Sequence, residues 1–107
     1  MATRKKSGED KYVRQIREKL VRDYVARHPC AQISVKRYNS VSVRIRIIDP
    51  DFAKKSRMER DDAVWEVLET LPEDTIAEIS LLILLTPEEA KTSMMNVEFE
   101  NPTPSSF

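Results

Sequence analysis

The amino-acid sequence predicts an α+β fold with the element order helix, strand, strand, helix, strand, helix. Three patterns of apolar residues predict it. Spacings of three and four, typical of one helical face, occur in residues 11–27 and again in residues 57–71. Alternation of apolar and polar residues, typical of half-buried strands, occurs in residues 31–38 and 40–48. Residues 79–85 are apolar at nearly every position, as in a strand covered on much of both faces.

Turn residues mark the ends of the first elements. His28-Pro29 ends the first helix, because the residue before a proline avoids helical geometry. Residues 38–40 are predicted to form the tight turn of a β-hairpin. The second strand ends at Asp49-Pro50-Asp51, a sequence rich in turn formers.

Two capping boxes mark the later helices. Ser56 and Glu59 have the spacing of the first box, and Thr86 and Glu89 have that of the second. The helix between the second and third strands predicts that these strands run parallel with a right-handed crossover. We therefore expect a three-stranded mixed sheet with the helices on one face.

Length and composition indicate one domain that does not span a membrane. The 107 residues suffice for one core. We divide them into a mobile basic arm at residues 1–10, a domain at residues 11–99 and a flexible tail at residues 100–107.

No apolar run approaches the roughly 18 residues of a membrane span, and the first residues lack the apolar run of a secretory signal. The single cysteine, Cys30, excludes an intrachain disulfide and suits a reducing compartment, so we expect a cytoplasmic protein.

The net charge of zero hides an uneven distribution along the chain. Residues 1–60 contain 17 Lys and Arg against 7 Asp and Glu, whereas residues 61–107 contain 1 against 11. We interpret this as two halves that neutralise each other within one domain. The alternative is a dipolar surface, basic on one side and acidic on the other.

The predicted sheet has one apolar face and one mixed face. The mixed face carries Lys36, Arg44 and Arg46, and we place Leu82 and Leu84 on it as well. Because two leucines are poorly placed in water, we expect either the segment 94–99 or a second subunit to cover them.

The run RIRIIDPDFAKKSRMERDDAVWEVLETL, followed by ISLLILLTPEEA, resembles the BolA family. That family has a Val-rich strand, Ser/Asp-x-Phe, a helix that opens on Arg-His-Arg, an apolar strand and then Thr-x-x-Glu. The residues that fall in register here are Phe52, Arg60, Trp65 (usually Tyr), Thr86 and Glu89. The resemblance extends over residues 11–92 and implies a KH-like architecture.

The resemblance also implies a function. BolA-like proteins are partners of monothiol glutaredoxins, with which they share an iron–sulfur cluster through the His of Arg-His-Arg. Some also use a His or Cys from the loop between the first two strands. Here Asp61 replaces that His, Asp62 replaces the following Arg, Lys54 replaces a glycine, and the short hairpin loop has no ligand. Carboxylate is a poor substitute for imidazole at such a cluster.

The first hypothesis is therefore a non-enzymatic adaptor that docks a glutaredoxin-like protein without a cluster ligand or cofactor of its own. Its expected partner-binding residues are Phe52, Arg57, Arg60, Asp61 and Asp62.

Two other hypotheses stay open. The second is a KH-like nucleic-acid-binding protein, although Gly8 is the only glycine and no Gly-x-x-Gly clamp exists. The third is self-association through the sheet face to which we assign Leu82 and Leu84. The nucleic-acid hypothesis would use Lys36, Arg44, Arg46, Lys54, Lys55 and Arg57.

Metal binding and catalysis have weaker signals. His28 and Cys30 are too few ligands for a metal site of this chain alone, so we interpret them as a helix-ending His and a small buried Cys. A partner's ligands would be needed to complete a site. The acidic residues Asp49, Asp51, Asp61 and Asp62 are interpreted as turn and first-turn helix residues. No nucleophile lies beside a base in the sequence, and we expect no enzyme activity.

Overall fold

The computed structural model describes residues 10–103, which form an α+β domain with a three-stranded mixed sheet, as predicted. The first nine residues of the arm predicted at residues 1–10 and the last four residues of the predicted tail lie outside this range. Asp10 begins the described chain and caps the first helix by accepting hydrogen bonds from the N–H groups of Tyr12 and Val13. The elements are α1 (Lys11–Asp23), β1 (Gln32–Asn39), β2 (Ser42–Ile48), a 3-10 helix (Pro50–Lys54), α2 (Arg57–Leu68), α3 (Glu73–Glu78), β3 (Ile79–Leu85), α4 (Pro87–Ala90) and α5 (Met94–Glu100).

The strand order is β1-β2-β3, with β1 and β2 antiparallel and β2 and β3 parallel. The pairing directions agree with the prediction. The hairpin turn lies at residues 40–41, later than predicted, because Tyr38 and Asn39 still belong to β1. The Asn39 side chain accepts a hydrogen bond from the Val41 N–H at 2.9 Å and so stabilises the turn.

Two helices end earlier than predicted, and one additional helix follows the second of them. The helix α1 ends at Asp23, and residues 24–27 form a turn. The helix α2 ends at Leu68, and a separate helix, α3, follows Pro72 with Glu73 and Asp74 in its first turn. Carboxylates in a first turn suit the helix dipole. Both predicted capping boxes are present, at Ser56 and at Thr86.

The helices α1 and α2 cover one face of the sheet and bury the core. Every second side chain of β2 is fully buried there, and Phe52 from the 3-10 helix lies in the same cluster. The core consists of Val13, Ile16, Leu20, Tyr24, Val43, Ile45, Ile47, Phe52, Val64, Val67 and Leu68.

The register of β3 corrects the position predicted for Leu82 and Leu84. Leu82 pairs with Ile45 and Leu84 with Ile47, whose side chains face the core. Both leucines accordingly pack against the core cluster. Because side chains alternate along a strand, Ile83 lies on the opposite face, where it is 2% exposed. The self-association hypothesis therefore loses the apolar patch on which it was based.

The opposite face of the sheet is covered by α5. Phe99 is 1% exposed, and the Lys36 ammonium and the Arg46 guanidinium each lie 4.8 Å from the centre of its ring. Glu98 and Glu100 form ion pairs with Arg44 and Arg46, respectively. The segment 94–99 thus folds over the outer face of the sheet, but it does not cover Leu82 and Leu84 as predicted, because those leucines lie on the core face. The helices therefore lie on both faces of the sheet and not on one face as expected.

The contacts continue beyond the domain boundary predicted at residue 99. The Tyr38 hydroxyl donates a hydrogen bond to the Thr103 carbonyl at 2.7 Å. Residues 100–103, assigned to the tail from the sequence, therefore contact the domain.

Candidate functional site

A groove of about 800 Å³ runs along the outer edge of β3. The first turns of α2 border it from the core side of the sheet, and the α4–α5 segment borders it from the opposite side. We call it the β3 groove. Its lining residues are Arg57, Met58, Arg60, Asp61, Leu82, Ile83, Leu84, Leu85, Glu89, Thr92, Ser93, Met94 and Met95.

The floor of the β3 groove is an unpaired strand edge. Within residues 10–103, β3 pairs only with β2. The Leu85 carbonyl points toward β2, since it accepts a hydrogen bond from the Asp49 N–H at 2.9 Å. Backbone groups alternate in direction along a strand, so those of Leu82 and Leu84 point outward into the groove. Such an edge can form backbone hydrogen bonds with another extended chain.

Exposed methionines flank this edge. Met58 is 73% exposed, Met94 is 78% exposed and Met95 is 42% exposed. Methionine side chains adapt to different apolar surfaces, and proteins use them at binding sites for this reason. The β3 groove therefore joins a backbone edge to an adaptable apolar surface.

Arg60 is a structural part of the groove. Its Nη1 and Nη2 donate to the two carboxylate oxygens of Glu89 at 2.7 and 3.2 Å. The same Nη1 donates to the Leu84 carbonyl at 3.0 Å, and Nε donates to the Lys55 carbonyl at 3.1 Å. The Arg60 guanidinium, with the Thr86 backbone N–H, lowers the pKa of Glu89 to about 2. One arginine thus connects α2, the edge of β3 and the start of α4.

The five predicted partner-binding residues separate into three kinds of position. Arg57, Arg60 and Asp61 line the β3 groove. Phe52 is fully buried, with the Arg60 guanidinium 5.5 Å from the centre of its ring. Asp62 is exposed but is not among the lining residues. A partner in the groove would therefore contact Arg57 and Asp61 directly. It would not touch Phe52, which lies buried next to Arg60.

The six cations of the nucleic-acid hypothesis fall into two groups. Lys54 and Lys55 lie in the connection from β2 to α2, and Arg57 is the first residue of α2. Lys36, Arg44 and Arg46 lie on the sheet face that α5 covers. The side chains of Arg44 and Arg46 are only 17% and 15% exposed, because Glu98 and Glu100 pair with them. These two arginines are therefore engaged within the domain and are not open to a nucleic acid as that hypothesis requires.

The structure joins His28 to two of the acidic residues that the sequence analysis considered separately. His28 Nδ1 lies 2.8 Å from Asp51 Oδ2 and 3.5 Å from Asp49 Oδ2. The β-hairpin accounts for these short distances. Because Gln32 at the start of β1 pairs with Ile48 at the end of β2, the segment before β1 lies close to the segment after β2. Within the described range, this trio is the one group of three or more His, Cys, Asp or Glu side chains close enough to share a metal ion.

Tyr24 contacts two members of this trio, whereas Cys30 is not a member of the group. The Tyr24 hydroxyl donates to Asp49 Oδ2 at 2.7 Å, and burial together with this hydrogen bond raises the pKa of Tyr24. The Tyr24 ring also stacks on His28, with the ring centres 4.4 Å apart. Cys30 is exposed, contrary to the prediction of a buried residue, because it lies in the turn before β1.

Comparison with known proteins found no matching family model, no matching curated protein and no matching solved structure. None of the helices in residues 10–103 is long and apolar enough to cross a membrane. The structure thus defines the chain as an α+β domain with a mixed three-stranded sheet and a groove at its β3 edge.

Proposed function

We propose that this chain is a non-enzymatic cytoplasmic adaptor that binds a partner protein in the β3 groove. The observation that carries the proposal is the outward edge of β3 with exposed methionines on both sides of it. An extended segment of the partner would add to the sheet as a fourth strand. Backbone hydrogen bonds would supply affinity, and contacts of its alternate side chains with the methionines would supply specificity.

The composition of the groove favours a protein over a nucleic acid. Nucleic-acid binding relies mainly on cations that face the phosphates. In the groove, Arg60 is already paired with Glu89, and Asp61 adds a negative charge. Arg44 and Arg46 are paired with carboxylates of α5. The apolar and backbone character of the groove suits an extended polypeptide better.

One charge of the groove predicts a feature of the partner. Arg57 is exposed and forms no ion pair with any described residue. It lies at the start of α2, where the helix dipole adds positive potential. We therefore expect an acidic residue in the partner segment next to its apolar residues.

The resemblance to the BolA family makes a monothiol glutaredoxin the first partner to test. Asp61 lines the groove at the position where that family has its cluster-ligating His. Binding in this proposal consequently uses the groove surface and requires no imidazole from this chain at that position.

The test compares charged substitutions inside and outside the groove. Met58→Glu and Met94→Glu each place a carboxylate on the apolar surface of the groove. The controls are Val21→Glu and Val41→Glu, at side chains that are 51% and 55% exposed and do not line the groove. Titration calorimetry with a monothiol glutaredoxin should show at least about tenfold weaker binding for the groove variants only.

The same four variants serve in a pull-down from nuclease-treated lysate, which covers partners of another class. A protein retained by the wild type and both valine variants, but lost with both methionine variants, supports the groove. Equal losses in all four variants, or binding that nuclease abolishes, would contradict the proposal.

A further inference from the structure

The spacing of His28, Asp49 and Asp51 is that of ligands around one metal ion. The Nδ1 atom of His28 lies 2.8 Å from Asp51 Oδ2 and 3.5 Å from Asp49 Oδ2. One possible ligand atom from each of the three residues lies within 4.8 Å of the others. Nitrogen and oxygen ligands at about 2.0 Å from a tetrahedral Zn²⁺ are about 3.3 Å apart. Only small movements would therefore be needed to enclose a cation.

The carboxylates of this trio are also suited to a cation by their charge. Asp49 is fully buried, and its oxygens accept hydrogen bonds from the Tyr24 hydroxyl and the Asp51 N–H. Within residues 10–103, no Lys or Arg forms an ion pair with Asp49. Buried charges in proteins are paired or coordinate metals. His28 lies beside both carboxylates, and within residues 10–103 no Lys or Arg forms an ion pair with Asp51 either.

The surroundings hold the ligands and leave a path to solvent. The Tyr24 hydroxyl fixes the Asp49 carboxylate, and the Tyr24 ring stacks on the His28 imidazole. Hydrogen bonds of this kind orient metal ligands in known sites. The side chains of His28 and Asp51 are 22% and 59% exposed, which permits entry of an ion.

We propose that His28 Nδ1 and one oxygen each of Asp49 and Asp51 bind a divalent first-row transition-metal ion of the Zn²⁺ type, with water completing its coordination. The imidazole nitrogen favours Zn²⁺ or Co²⁺ over Mg²⁺ and Ca²⁺, which prefer oxygen ligands. The site lies outside the β3 groove and does not depend on the function proposed there.

The chain has one histidine and one cysteine, so signals from these residues can be assigned without ambiguity. His28 is the only histidine, so the untagged protein gives one set of imidazole NMR signals. One equivalent of Zn²⁺ should shift these signals, and Co²⁺ should give the visible absorption of a bound ion. Because binding requires a neutral imidazole, it should release a proton and weaken at acidic pH.

Three variants identify the ligands. Titration with Zn²⁺ should show at least about tenfold weaker binding for His28→Gln and for Asp51→Asn. Cys30→Ser removes the one thiol of the chain and should bind as the wild type does. Circular dichroism checks the fold of each variant. Because the Asp51 side chain is exposed, Asp51→Asn should fold even if His28→Gln does not, and it then tests the site alone.

Several results would overturn this inference. The absence of Zn²⁺ and Co²⁺ binding at millimolar concentration would make His28 a proton-mediated bridge between the carboxylates. Unchanged affinity in Asp51→Asn, or loss of binding in Cys30→Ser, would assign the metal to other ligands. If Mg²⁺ bound as tightly as Zn²⁺, the His28 imidazole would not be a ligand that selects the metal.

Discussion

Acidification should weaken the junction that Arg60 forms with Glu89. The ordinary pKa of a glutamate is 4.5, and the Arg60 guanidinium lowers that of Glu89 to about 2 in the folded chain. A group with a depressed pKa stabilises the fold above its unfolded pKa. That contribution is then lost as the pH falls toward the folded pKa. The loss should therefore occur between about pH 5 and pH 2.

The magnitude follows from the exposure of the pair. A fall in pKa from 4.5 to about 2 corresponds to about 3.4 kcal/mol without screening. The Glu89 side chain is 46% exposed, however, and solvent weakens such pairs considerably. We therefore expect about 1 kcal/mol of unfolding free energy to depend on the charge of Glu89.

Urea unfolding at pH 6 and at pH 2.5 measures this contribution against two variants. Glu89→Gln has no charge to lose, so its stability should fall by about 1 kcal/mol less than that of the wild type. Glu88→Gln is the matched control, because the neighbouring Glu88 side chain is 85% exposed and its cation is 3.9 Å away. A Glu89→Gln variant that loses as much stability in acid as the wild type would refute the reasoning.

Two further predictions concern α5 and Tyr24. Phe99→Ala should detach α5 from the sheet and speed its amide hydrogen exchange at least about tenfold, because Phe99 is its buried anchor; Val97→Ala, at a side chain 56% exposed, should not. Similar exchange in both variants would mean that the ion pairs alone hold the helix. Tyr24→Phe should lower the unfolding free energy by about 1–3 kcal/mol in urea, since it removes a donor from the buried Asp49. A loss below about 0.5 kcal/mol would show that this hydrogen bond contributes little to stability.

The element order was predictable because local physics decides it. Periods of two and of three to four residues separate the strands from the helices, and Ser56 and Thr86 mark helix starts at which the structure has capping boxes. The helices α3 and α5 were missed because both are short. Their signals, Pro72 before two acidic residues and Ser93 as a cap, are ones that loops also contain.

The faces of β3 were not predictable from its sequence. With Ser80 as its only polar residue, β3 fits the core equally well in either register. Pairing with β2 makes the choice and places Leu82 beside Ile45. A shift of one residue would exchange the two faces, which is why the wrong leucines were assigned to the outer face.

Charge pairing was predictable in outline but not in detail. The sequence indicated that its basic and acidic halves neutralise each other, and five ion pairs among residues 10–103 join the two halves. The partners of Arg44 and Arg46 depended on α5, whose place on the sheet the sequence offered only as one alternative. The five pairs are Arg27–Glu66, Arg37–Glu78, Arg44–Glu98, Arg46–Glu100 and Arg60–Glu89.

The same pairing bears on which surface is suited to binding. Arginines that are neutralised within the domain leave the apolar edge of β3 as the more distinctive surface. Open strand edges invite uncontrolled association, and proteins limit them with charges and flanking elements. Here Arg60 binds the Leu84 carbonyl, and Met58 and Met94 stand on either side of the edge. The part of the β3 edge that is free to pair is thus short. A short edge suits one extended segment of a partner better than continued pairing of strands from many chains.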